Sequence, residues 1–143
     1  MPTRRDFDHI GSYRFTVEIE GVIQGRFQAV SEFGAEVDVI EFQDGDDLIL
    51  RKRPGQVRYD DVVLTKGHIF TNELWEWWKA VQEGRVERKT MSIILHDSVG
   101  KEICRWNLLE CWPRRWQTGP LNAEISNRLV EQIVIVTEKL EVG

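Results

Sequence analysis

Ser12-Tyr13-Arg14-Phe15-Thr16-Val17-Glu18-Ile19-Glu20 alternates without a break. Tyr13, Phe15, Val17 and Ile19 share one face, and Arg14, Thr16, Glu18 and Glu20 share the other. A period of two residues is that of a strand with one buried face. Gly21 and Gly25 bracket a turn, and Arg26 to Phe33 reads as the returning strand. A third strand follows where Ala35, Val37 and Val39 alternate with Glu36, Asp38 and Ile40. A fourth runs from Tyr59 to Thr65, with Val62 and Leu64 on one face.

One segment changes period. Leu74, Trp77, Trp78 and Val81 recur at helical spacing, which predicts an amphipathic helix over about 73–83. Asn72 is its expected N-cap, Glu73 lies where the helix dipole favours an acid, and Gly84 is placed to stop it. Strands resume over Val86 to His96, where Met91, Ile93 and Leu95 alternate. Asp97-Ser98-Val99-Gly100 is a turn signal, and Lys101 to Trp112 is the paired return. Beyond an irregular stretch around Trp112-Pro113 and Gly119-Pro120, Ile125 to Leu140 is β-branched at its centre.

About seven strands and one helix make a mainly β fold. The expected form is a barrel or sandwich of two packed antiparallel sheets with one flanking helix. No repeat, low-complexity tract or linker divides the chain, so residues 1–143 read as one domain. Long strands in so small a fold leave edges unpaired in the monomer, which is a route to polymerisation.

Composition narrows the function. The 143 residues are 41% hydrophobic and 30% charged, which fits a folded domain and excludes a disordered tail. The longest apolar run is Ile133 to Val136, far short of the ~20 residues of a membrane-spanning helix. The net charge is −5, against the basic excess of a duplex-binding domain, so nucleic-acid binding is not expected. The N-terminus lacks the apolar stretch of a signal peptide, and synthesis in a cytoplasm is the expectation.

Signatures of chemistry are missing: there is no phosphate-binding glycine loop, HExxH or GxSxG. His96-Asp97 reads as a turn pair before it reads as an acid–base pair. His68 with Asp60 and Asp61 lacks a fixed third ligand for a metal. Cys104 and Cys111 lack CxxC spacing and, seven residues apart, fall on opposite faces of a regular strand. Six tryptophans are read as core by default, with an interface as the sharper alternative for any that face outward. No cofactor, metal or catalytic residue is expected.

The most informative local feature is a charge inversion. Six acids (Glu36, Asp38, Glu41, Asp44, Asp46, Asp47) and no base occupy 36–47. Four bases (Arg51, Lys52, Arg53, Arg58) and no acid occupy 51–58, with Leu48-Ile49-Leu50 between. A solvated loop of mixed charge does not account for three consecutive aliphatics. The pattern fits a charged loop at about 44–58 that projects and inserts into a neighbouring subunit. Asp44, Asp46, Asp47, Leu48, Ile49, Leu50, Arg51, Lys52, Arg53 and Arg58 are its candidate interface residues. Anion binding by the basic block is the weaker alternative beside so many acids.

In order, these pieces resemble the tail tube proteins of contractile phages and, more closely, the inner tube proteins of phage-tail-like contractile injection systems. The resemblance runs nearly end to end. It is carried by Phe15 to Gly21, Gly25-Arg26-Phe27, Val30 to Phe33, Arg51 to Gly55, Tyr59, Leu64 to Gly67 and Leu74 to Trp77. It continues through Asp97 to Gly100, Trp106, Trp112-Pro113, Gly119 to Ala123 and Glu131. Glu32 stands where the family commonly has glycine, and Arg114-Arg115-Trp116 is bulkier and more basic than the family pattern. The resemblance implies rings of six copies stacked into a tube within a contractile sheath, edges joining neighbouring sheets into a lumen wall. Its implied partners are further copies, the sheath protein, baseplate or tube-initiator proteins and lumen cargo, in a particle released outside the cell. A free-hexamer tube protein of a type VI-like secretion system is the related alternative. A small-ligand-binding barrel is the unrelated one, and it lacks a cluster of convergent polar groups.

Overall fold

The computed structural model describes residues 14–118 and 129–143. The strands are β1 (Phe15–Ile19), β2 (Val22–Val30), β3 (Ala35–Phe42), β4 (Arg51–Tyr59) and β5 (Val62–Ile69). The helix α1 (Glu73–Gln82) precedes β6 (Lys89–His96), β7 (Glu102–Thr118), β8 (Leu129–Val136) and β9 (Lys139–Val142). Tyr13, and the expected features at Gly119-Pro120 and Ile125, lie outside the described residues.

Seven strands form one antiparallel sheet in the order β6-β1-β2-β5-β8-β7-β9, and pairing of β6 with β7 closes the first six into a barrel. β3 and β4 form a separate two-stranded ribbon. The fold is thus mainly β with a single described helix, as the alternation indicated.

Local chemistry explains the joints. Glu20 and Gly21 both have positive φ (53° and 81°) in a two-residue hairpin between Ile19 and Val22. Positive φ at both central positions matches the twist of the flanking strands. The return strand therefore begins at Val22, and Gly25 lies inside it. Gly25 allows the His68 carbonyl to approach, since a Cβ there would sit 2.8 Å from that oxygen. At the β6–β7 turn, Asp97 Oδ1 accepts the Val99 and Lys101 N–H groups at 3.0 and 2.8 Å.

β7 is longer than expected, because it continues through Trp112-Pro113 to Thr118. Its register shifts twice there, and irregular pairing tolerates a proline that lacks a donor. β8 and β9 run in turn along the same strand, separated at Thr137. Its hydroxyl lies between the Leu109 and Lys139 carbonyls at 3.0 and 2.9 Å.

The barrel is filled by Val17, Ile19, Phe27, Leu64, Met91, Ile93, Leu108, Ile133 and Ile135, with Leu74 and Trp77 of α1 joining the same cluster. Phe27 lies over Gly67, where a Cβ would meet its ring at 2.2 Å. Asn72 takes the expected N-cap position, but a polar network holds the helix start in place of a side-chain cap. Asn72 makes no side-chain capping bond, while buried Gln24 donates to Glu73 Oε2 at 3.0 Å. Thr71 Oγ1 donates to the Gln24 side-chain oxygen Oε1, and Lys89 Nζ lies 3.8 Å from Glu73. At the other end Gly84 takes φ +84° and its N–H reaches Val81 O, while Arg85 N–H reaches Ala80 O. This paired termination is the glycine-ended helix the sequence indicated.

Candidate functional site

The 35–59 ribbon stands apart from the barrel chemically. In β3 and β4 every position but Asp38, Gly55 and Tyr59 is exposed, and neither strand packs substantially on a barrel element. Arg51 to Arg58 is a paired strand, not a loop. Pro54-Gly55 and four bases disguise it in sequence. Val37 pairs with Val57 and Val39 with Pro54, so the register shifts by a bulge between them. Gly55 permits that bulge, because a Cβ there would meet Ile40 at 3.1 Å and the Asp38 carbonyl at 3.2 Å.

The tip carries the candidate residues. Asp47 N–H bonds to Asp44 O at 2.9 Å, and Gln43 Nε2 donates to Asp47 O at 2.7 Å. The Asp47 carboxylate accepts Arg51 Nε at 2.7 Å and Ile49 N–H at 3.2 Å. The Arg51 bond first, then the Ile49 N–H, holds its carboxyl below the usual carboxylate range. With the turn pinned this way, Leu48, Ile49 and Leu50 face water at 98%, 61% and 48% exposure. Three consecutive aliphatics this exposed form an apolar patch on the ribbon tip.

The acid and base blocks partly satisfy each other inside the ribbon. Arg51 pairs with Asp47, and Arg58 pairs with Asp38 at 3.0 Å. Arg53 lies over the Phe42 ring, 5.8 Å from its centroid. Asp44, Asp46, Lys52 and Arg53 have no ion pair among the described residues. Val37, Val39, Phe42 and Val57 are further exposed apolar residues on the ribbon. Alternation over 35–40 was the signal for Val37 and Val39; Phe42 and Val57 had none.

The other candidates resolve into structure. His96 Nδ1 lies 3.2 Å from Gly100 O and Asp97 binds turn amides, so the two serve the hairpin. His68 stands edge-on to Phe70, 5.3 Å between centroids. Among the described residues, no group of three His, Cys, Asp or Glu is placed to hold a metal, and no helix is long and apolar enough to cross a membrane. Cys104 and Cys111 are both free, and burial pushes the Cys111 thiol up to about 12. Of the tryptophans, Trp77 is core and donates to Glu87 O at 2.6 Å, whereas Trp75 is exposed and stacks edge-on against Trp116.

The model of the family described as T4-like virus tail tube protein gp19 matches residues 11–141. This chain belongs to that tail tube family. A tail tube protein is a structural subunit, and the barrel with a detached ribbon is the body of one. A search of curated proteins gives no match. Among solved structures, the chain resembles one in the anti-feeding prophage cap, the tube-terminating cap, with 27% identity and TM-score 0.68 over 92% of this chain and 89% of that one. A chain of the sheath/tube terminator of an extracellular contractile injection system, PVC, in its extended state is 25% identical, with TM-score 0.68 over 92% and 94%. The fold is also that of a chain in the PVC sheath–tube complex, 24% identical, with TM-score 0.69 over 95% and 96%. Hcp1 from Flavobacterium johnsoniae shares the fold at 16% identity and TM-score 0.52, over 92% and 95%.

Proposed function

We propose that copies of this chain form rings of six that stack into the hollow inner tube of a contractile injection system or contractile phage tail. The segment 44–58 seats on an adjoining subunit. The observation that supports this reading is the exposed ribbon tip, three aliphatics held between the paired Asp47 and Arg51, with Asp44, Asp46, Lys52 and Arg53 free of ion pairs among the described residues, in a chain of the tail tube family. An element of one copy placed on a different surface of the next gives a heterologous interface, which closes into a ring or propagates as a filament according to its rotation. The whole chain acts as one domain, and it performs no catalysis. Its partners are further copies, the sheath, baseplate or tube-initiator proteins and cargo in the lumen. The chain is made in the cytoplasm and works as part of the assembled particle, outside the cell once that particle is released.

Reversing Arg51, Lys52 and Arg53 to Glu tests the assignment. The expected result is a folded protein that no longer forms tubes. Normal tubes from that variant would overturn the role given to the ribbon.

A further inference from the structure

The distribution of exposed apolar residues defines where a ribbon tip docks. The ribbon leaves the barrel where β2 ends and β5 begins, whereas α1 follows the other end of β5. Those two ends lie about 26 Å apart for an eight-residue strand at ~3.3 Å per residue. Outside the ribbon, Val22, Ile23, Phe70, Trp75 and Val86 are exposed at the helix end of the barrel. Val99, Ile103 and Val142 are exposed at the ribbon end. Isolated exposed aliphatics are ordinary, but Val22, Ile23 and Phe70 are grouped by the backbone: Phe70 N–H donates to Gln24 O at 2.8 Å.

This collar carries a cation suited to the tip. Arg26 lies over the Phe70 ring, 5.6 Å from the centroid, and has no ion pair among the described residues. Of the acids near the collar, Glu73 is already engaged by Gln24 and Lys89, while Glu20 is exposed on the adjoining β1–β2 turn. At the tip, Asp44 and Asp46 are the acids without an ion pair among the described residues, near Leu48 and Ile49.

We infer that the Val22–Ile23–Phe70–Arg26 collar is the acceptor for the ribbon tip of a second copy of this chain. Leu48 and Ile49 lie against the collar's aliphatic and aromatic side chains, and Asp46 faces Arg26. Donor and acceptor on different surfaces of one chain make the contact head-to-tail, and it propagates as a filament where its rotation does not close. The assignment rests on the tube reading above and adds which surface receives the tip.

The test is disulfide capture in the full chain with Cys104 replaced by serine; buried Cys111 stays. Ile49→Cys with Ile23→Cys is expected to give a ladder of linked multimers on mild oxidation of assembled material. Ile49→Cys with Val99→Cys is the control at the ribbon end and is expected to give none. A ladder only in the control, or tubes that assemble with no ladder in the Ile23 pair, overturns the acceptor and leaves the tube reading standing. Monomers that never assemble, with the parent chain behaving likewise beside its baseplate partners, overturn both. Separately, Arg26→Glu or Asp46→Arg alone should raise the concentration needed for assembly roughly tenfold, as loss of a close interfacial charge pair does. Combining the two should restore it; a double variant as defective as the singles contradicts the pairing.

Discussion

Replacing Leu48, Ile49 and Leu50 together by serine separates assembly from folding. Their exposures of 98%, 61% and 48% leave about two whole aliphatic side chains in water in the monomer. Fully burying one such side chain is worth about 1.5–3 kcal/mol, so seating the tip supplies about 3–6 kcal/mol per contact before ordering costs. Losing even ~3 kcal/mol raises the concentration needed for association roughly a hundredfold. The monomer should hardly notice, since exposed substitutions stay within about 0.5 kcal/mol, or ~2 °C in melting temperature. Sedimentation across a concentration series reads the first quantity and a thermal melt reads the second. Tubes at the parent concentration would refute the role of the tip. A large fall in melting temperature would refute its independence from the barrel.

Gly67→Ala should destabilise the barrel by about 1–3 kcal/mol, because the new methyl overlaps the buried Phe27 ring. Pairing it with Phe27→Leu should reduce that increment, and an unchanged increment would assign the cost elsewhere. Cys111 should resist a thiol reagent at pH 8 until the protein unfolds, since its thiol is pushed up to about 12, while half-buried Cys104 reacts first. Fast labelling of both in native protein would contradict the burial. Asp47 should hold the tip turn from neutral pH down to its ordinary 3.8, with the turn lost only as pH falls through its lowered value. Amide exchange at Ile49 follows this, and early loss of protection near neutral pH would contradict the Arg51 bond.

Much of the barrel was legible because one face is buried and the period is unambiguous. Phe15, Val17 and Ile19, or Met91 and Ile93, leave no other reading. The helix was legible for the same reason, and Gly84 terminates it as its backbone freedom suggests. Its start at Asn72 was legible too, but not what holds it, since Gln24, the buried partner of Glu73, is distant in sequence. Strand β4 was hidden because it buries almost nothing: without a core face there is no hydrophobic alternation, and Pro54-Gly55 mimics a turn. The candidate tip stood out for the opposite reason, as Leu48-Ile49-Leu50 is apolar where no core can reach it. The collar was not legible, because Val22, Phe70 and Arg26 are brought together only by pairing of β2 with β5.

Negative-stain electron microscopy of the purified protein, across concentration and salt, tests the central claim most directly. Rings of six subunits or hollow stacked tubes, weakened by salt, are the predicted result. A uniform field of monomers that persists after baseplate partners are added would contradict it.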